Sequence, residues 1–231
     1  MIIDWLDTVI ASHKAWLTDP TSGKQADFSK QNLSRCDFSK QDLRRANFRS
    51  ATLRETGFRS ATLLETDFGS TALNDTDFRE ADVRGSNFRS ATIRDADFRG
   101  ADVSGSSFRA ADVSGSNFHE ADVSWANFRG ANVSGANFCG ANISRANFEG
   151  VDLQHAHGIL VVGPYDGYMM YAVRRANGLR IAAGCRWFDV AAARAHWGGQ
   201  MVKRGSAEHG AKMLAGVDAL CALARSAGWE E

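Results

Sequence analysis

Residues 81–105 read ADVRG SNFRS ATIRD ADFRG ADVSG, and the third place of each block of five holds Val83, Phe88, Ile93, Phe98 or Val103. The rule extends outward in both directions without a slip, from Phe28 to Leu153, which makes 26 units. A period of five is neither the helical nor the strand period, so the chain is read as a repeat before any helix or strand is assigned. Phe alternates with Leu, Ile or Val at the central place throughout, so the true repeat is ten residues long. If like stacks on like, one coil holds an even number of pentads. Four meets that condition; three and five do not.

Each pentad has its own grammar. Two places before the centre stand small residues, as at Ala46, Ala61, Ala101 and Ala141, with Thr or Ser in most other units. Such a constant small residue is expected to point inward where the wall turns. The place before the centre favours Asp, Asn or Thr, and Asp and Asn suit turns because they bond to nearby backbone. The last two places favour Arg or Ser, then Gly, Ser or an acid.

Units such as Ala101-Asp102-Val103-Ser104-Gly105 and Ala141-Asn142-Ile143-Ser144-Arg145 resemble the consensus of the pentapeptide-repeat family, Ala-(Asp/Asn)-Leu-x-x. The resemblance covers more than half of the chain. It implies a mainly β fold, a right-handed quadrilateral β-helix with four pentads per coil. Six and a half coils at about 4.8 Å each give a rod roughly 30 Å long. Gln31, Cys36, Gln41 and Val151 depart from the small-residue rule, all near the ends, where irregular coils are expected.

Two opposite walls then carry Phe ladders, one on Phe28, Phe48, Phe68, Phe88, Phe108, Phe128 and Phe148, the other on Phe38, Phe58, Phe78, Phe98, Phe118 and Phe138. Residues twenty apart become neighbours. Arg59, Arg79 and Arg99 line one wall, Arg89, Arg109 and Arg129 another, and Asp82, Asp102 and Asp122 a third. Such rows are either solvated faces paired with neighbouring opposite charges, which contribute little, or a charge-striped binding surface. Ser104-Gly105, Ser114-Gly115 and Ser134-Gly135 leave two walls nearly smooth, broken by Trp125. An exposed Trp there is the best hot-spot candidate on the rod.

Around the repeat, which is assigned to residues 26–155, two further regions are expected. Residues 1–25 hold an amphipathic helix, with Ile2, Trp5, Leu6, Val9, Ile10, Trp16 and Leu17 on one face and Asp19-Pro20 ending it. Its expected role is to cap the first coil, since terminal repeats need covering. Residues 156–231 read as a small α+β module, a hairpin with an Asn-Gly turn at Asn177-Gly178, a short helix capped by Asp189 and a second helix from about Ala207 to Ala227. This module is expected to cover the last coil, and its second helix offers a face for a homodimer.

Lys plus Arg and Asp plus Glu both number 27, so total charge advertises neither nucleic acid nor membrane. The balance is uneven along the rod: residues 26–60 hold eight cations and four anions, residues 61–155 eight cations and fourteen anions. The basic end is a weak case for direct nucleic-acid binding. No apolar run suits a membrane span or a signal segment. Cys36, Cys139, Cys185 and Cys221 lack metal or disulfide spacing, which makes a reducing cytoplasm the expected compartment.

Catalysis finds little support. Cys185, Asp189 and His196 are the residue types of a thiol triad without a motif to bring them together, and His155 with His157 makes only two potential metal ligands. No cofactor is expected. The reading is a non-enzymatic scaffold that presents a rigid surface to a protein partner. The alternative, which the family resemblance implies, is a DNA mimic acting on a type II topoisomerase such as gyrase. Mimicry needs a strongly negative surface, which the basic first third of the rod opposes.

Overall fold

The structure, a computed structural model, describes residues 2–153, 155–165, 168–175, 178–183, 186–200 and 207–227. From Asp27 onward the outward residue of each pentad forms a parallel bridge with the residue twenty places on, as in Asp27↔Asn47, Asn87↔Ser107 and Asn137↔His157. Four pentads therefore close one coil, an even number as the Phe–aliphatic alternation requires and the number the family resemblance implies. The rungs are backbone hydrogen bonds: the Phe88 N–H donates to the Ser107 carbonyl at 2.7 Å and the Asn87 N–H to the Thr66 carbonyl at 3.0 Å.

Corners separate the four walls, and their geometry explains the last two places of the pentad. The final residue of every corner from Lys30 to Gly150 is left-handed, with φ between +54° and +72°. Gly enters that region without penalty and other residues at a cost. The carboxylate or amide before the centre steadies the corner, as where Asn127 Oδ1 accepts the Arg129 N–H at 3.0 Å and Asp37 Oδ1 the Ser39 N–H at 2.9 Å.

The core is the pair of Phe ladders. Rings within a ladder stack with centroids 4.7 to 5.1 Å apart. Rings of opposite ladders meet edge to face at 5.6 to 6.2 Å, so the two ladders interlock along the axis. Each aromatic pair adds about 0.5–1.5 kcal/mol beyond its buried area. Ala46, Ala61, Ala101 and their equivalents are buried beside them, as the small-residue rule expects. Where Thr or Ser replaces Ala, the buried hydroxyl is bonded: Thr56, Thr66 and Thr76 Oγ1 donate to the carbonyls of Leu33, Leu43 and Leu53 at 3.0, 3.0 and 2.9 Å.

The expected irregularity appears at only one end. Asn32, Asp37 and Asp42 all bridge upward normally, so Gln31, Cys36 and Gln41 do not disturb the first coil. The chain there has no coil beneath it, and a larger residue at the small position meets no wall. At Val151 the coil does depart: among the described residues no bridge forms at Asp152, and the Gly135 N–H reaches the His155 carbonyl. Pairing then resumes at His157. The next central place is Gly158, at φ +75°, where a Cβ would overlap the Cys139 backbone. Glycine lets the chain cross the coil beneath at this point and leave the solenoid.

Helix α1 spans Ile2–Thr18 and lies over the first coil. Leu6, Val9 and Ile10 pack on the solenoid core, and the Trp5 ring meets Phe28 edge-on at 6.0 Å. The most buried residue of the helix is polar. His13 is wholly buried, stacks on Trp16 at 5.6 Å and accepts the Ala26 N–H on Nδ1 at 3.1 Å. Gly23 lets the returning chain pass against the helix backbone at Ser12 and Trp16.

Beyond the rod come four strands, β1 (Ile159–Tyr165), β2 (Tyr168–Arg175), β3 (Gly178–Ala183) and β4 (Arg186–Asp189), in one antiparallel meander of that order. The expected hairpin is thus half of a larger sheet. Its fourth strand occupies the stretch directly before Asp189, where only four residues are paired. Asp189 caps α2 (Val190–Ala195) as expected, its Oδ1 accepting the Ala192 N–H at 2.6 Å. Gly198 and Gly199 do not end the helical path, which continues as a π turn over His196–Gln200.

Helix α3 (Ala207–Ser226) buries Met213, Val217, Leu220, Cys221 and Ala224. They share a core with Met170, Ala172, Leu179, Ile181, Ala193 and Trp197. The face expected to serve a homodimer is therefore covered by the chain's own sheet, and of the helix's large apolar residues Leu223 is exposed, at 41%. Val173 and Tyr171 of β2 turn to the rod and pack on its last coil, with Tyr171 6.1 Å from Phe148.

Candidate interaction surface

The bridging geometry places every predicted surface residue. The Arg rows lie at corners, in the first corner position, and not on the flat walls; the Asp row lies on the flat wall centred on Leu43, Leu63, Val83, Val103 and Val123. Arg59, Arg79 and Arg99 share one corner and are all paired. Arg59 meets Glu80 at 3.0 Å, Arg79 grips Asp77 at 2.7 Å, and Arg99 grips Asp97 at 2.6 Å. These arginines hold charge that the rod itself neutralises. Each exposed pair is worth about 0–1 kcal/mol.

In the Asp row, Asp82 is gripped by Arg84 at 2.7 Å, and Asp102 lies 3.6 Å from the same guanidinium. The Arg79 and Arg84 forks hold the Asp77 and Asp82 carboxyls below the usual carboxylate range. Asp122 instead accepts the Ser124 N–H at 2.9 Å and the Asn142 amide at 3.2 Å, with no cation paired to it among the described residues.

The third row behaves differently. Arg89 and Arg109 are exposed, and neither side chain has a partner among the described residues; Arg129 lies 3.5 Å from Glu149. Like charges one coil apart repel by up to about 1 kcal/mol in water. Folding thus gains little from this row.

Trp125 is 60% exposed and takes the left-handed corner position at φ +60°, where Gly85 and Gly105 stand in the two coils before it. Such a conformation costs an L-residue about 1–2 kcal/mol. The Arg145 guanidinium, one coil further, covers the ring at 4.2 Å. That cation–π contact returns about 0.5–1 kcal/mol at an exposed site. Arg145 escaped the sequence reading, although its place twenty residues after Trp125 would have signalled the contact. The largest exposed side chain on the rod therefore sits where the fold favours glycine.

Trp125 and the Arg89–Arg109–Arg129 row stand at the two edges of the same wall, the one centred on the Phe28 ladder. Its floor between them is Asn87, Ser107 and Asn127. At the other end of this wall a polar cleft of about 440 Å³ is lined by residues that include Arg45, Arg49, Glu65 and Asp67. There the charges are self-paired, Arg45 to Glu65 at 2.9 Å and Arg49 to Asp67 at 3.9 Å.

Of the triad types, Asp189 serves as a helix cap, His196 stacks on Phe188 at 5.0 Å, and Cys185 lies outside the described residues. His155 and His157 are both exposed, and no three metal-ligating side chains cluster among the described residues. No helix of the described residues is long and apolar enough to cross a membrane.

A family model described as a pentapeptide repeat region matches residues 31–108, and one described as pentapeptide repeats matches residues 124–157. Among solved structures, a pentapeptide repeat protein of the Arabidopsis thaliana thylakoid lumen is 31% identical over 49% of this chain and 69% of its own, with a TM-score of 0.34. A trypsin-treated variant of QnrB1, a plasmid-mediated fluoroquinolone resistance protein, is 24% identical over 57% of this chain and 77% of its own, TM-score 0.31. HetL, involved in heterocyst differentiation regulation in Nostoc sp. strain PCC 7120, is 22% identical over 58% and 79%, TM-score 0.27. No curated protein matched. With its pentads in unbroken register and both repeat models matched, the chain belongs to the pentapeptide-repeat family, whose fold is a right-handed β-helix.

Proposed function

We propose that this chain is a non-enzymatic scaffold that presents a rigid four-sided rod to a protein partner. The observation that carries this reading is the division of labour around the coil. Twelve Phe side chains are fully buried in the interlocked ladders, while Trp125 stands exposed at a left-handed corner, a conformation that the fold imposes and that costs an L-residue. Interlocked rings make the walls stiff, so a partner meets a surface that loses little freedom on binding. Exposed Trp and Arg are the residue types that most often dominate such contacts.

Affinity capture with the intact chain and with Trp125→Ala tests it. A partner retained by the first and lost from the second supports the scaffold reading. Equal recovery of every captured protein by wild type and by Trp125→Ala overturns it. The topoisomerase reading needs rows of free carboxylates, whereas Asp77, Asp82 and Asp97 are gripped by Arg79, Arg84 and Arg99. A gyrase supercoiling assay is expected to show neither inhibition nor protection by the added protein.

A further inference from the structure

The wall centred on the Phe28 ladder changes character along its length: near Arg45 and Arg49 it is self-paired, at Arg89 and Arg109 the side chains have no partner among the described residues, and Arg129 lies 3.5 Å from the exposed Glu149. We propose that its C-terminal half is the docking surface for an extended acidic segment of a partner protein, with Trp125 as apolar anchor and Arg89, Arg109 and Arg129 as charge partners. The proposal deepens the scaffold reading and rests on it.

Three features select this occupant. The floor residues Asn87, Ser107 and Asn127 are uncharged, and the Asn127 side-chain NH₂ has no partner among the described residues, which leaves a donor facing outward between the two edges. The arginines repeat at the coil spacing of about 4.8 Å, while carboxylates on one face of an extended chain repeat at roughly 7 Å. Two or three such carboxylates fall within reach of three long, exposed guanidinium side chains, which bind carboxylate through paired donors. Trp125, with Arg145 stacked on one face of its ring, offers apolar surface at the opposite edge.

A nucleic acid fits less well. Around the Trp125 corner lies the wall of Asp102 and Asp122, and a duplex carries a phosphate charge every 1.7 Å or so of its axis. It would set phosphates against those carboxylates as well as against the arginines. A narrow acidic strand confined to one wall avoids them.

The test uses the full chain and a fluorescein-labelled decapeptide that alternates glutamate and alanine, followed by anisotropy. Saturable binding is expected, weakened about tenfold as salt rises from about 50 to about 200 mM. The triple variant R89E/R109E/R129E is expected to lose at least about tenfold in affinity and Trp125→Gly about threefold, with Arg59→Ala unchanged. Trp125→Gly puts glycine where the backbone favours it, so loss of binding without loss of fold separates recognition from stability. Circular dichroism melts of each variant provide that control. No saturable binding at low salt, equal affinity in the triple variant, or tighter binding of an oligothymidine than of the peptide overturns the proposal. So does concentration-dependent dimerisation abolished by the triple variant, which would make the wall a contact between copies. If the captured partner depends on Trp125 while the peptide fails to bind, the scaffold reading stands and the acidic ligand falls; if neither depends on Trp125, both fall.

Discussion

In the rod, the surroundings of a residue follow from a count. Phe88 stacks on Phe68 and Phe108 and meets Phe78 and Phe98 edge-on because they lie twenty and ten residues away. In the C-terminal module, Leu220 is buried because α3 crosses β1 and β2, a meeting that no spacing in the chain encodes. The rod buries each inner coil between two coils of the same pattern, so a defect there is shared along the axis. The module has a single layer of partners. Damage in one region should therefore spread and in the other stay local.

The sharpest way to break the comparison is Phe88→Ala. It removes a ring in contact with four others and is expected to cost about 3–5 kcal/mol and to lower the melting of the whole rod. Leu220→Ala, at about 2–5 kcal/mol by the same reasoning, is expected to loosen the module alone. Calorimetry distinguishes the two: an equal shift of all transitions in both variants would show that rod and module unfold as one. Next in size is Thr66→Val. It removes the Thr66 hydroxyl from the Leu43 carbonyl, which keeps only the Ala46 N–H, and should cost about 1 kcal/mol in denaturant unfolding.

The N-terminal cap contributes through protonation. Burial pushes the His13 pKa below its ordinary 6.5, with Asp42 pulling it upward against Arg44. Nδ1 accepts the Ala26 N–H, so a second proton on the ring must go to that nitrogen and break the bond. The unfolded chain binds that proton first as pH falls. Stability from the cap is therefore complete above about pH 6.5 and is lost as pH drops through the lower folded value. The melting temperature should fall between about pH 7 and pH 5, and His13→Gln should flatten that slope. An unchanged slope in the variant would place the sensitivity elsewhere. The depressed carboxyls of Asp27, Asp37, Asp77 and Asp82 act in a separate window, below their ordinary 3.8. The smallest effect is expected at Trp125→Gly, where relief of the left-handed residue outweighs the lost Arg145 contact by up to about 1 kcal/mol, read as a raised melting temperature.

The candidate surface was half legible in the chain. Trp125 and the three charged rows could be placed by adding twenty, and so could Arg145. Whether a row was free or neutralised could not. Arg79 turns back to Asp77 within its own pentad, Arg59 reaches Glu80 in the next coil, and Arg109 does neither. These choices depend on side-chain rotamers at a corner, and period carries no information about them. His13 was missed because a polar residue in an amphipathic pattern reads as surface, while its burial follows from the return of the chain at Ala26.

By itself the sequence determined the repeat: five-residue register and Phe–aliphatic alternation require an even number of pentads per coil, and the family resemblance implies four. Those are local and repeated constraints, satisfied again at every step of the chain. Tertiary structure alone decided where repetition stops and what the surface offers. The exit at Gly158, the four-stranded sheet over the last coil, the buried imidazole under the cap and the absence of a partner for Arg89 and Arg109 among the described residues are each settled by how particular segments meet, which a period cannot record.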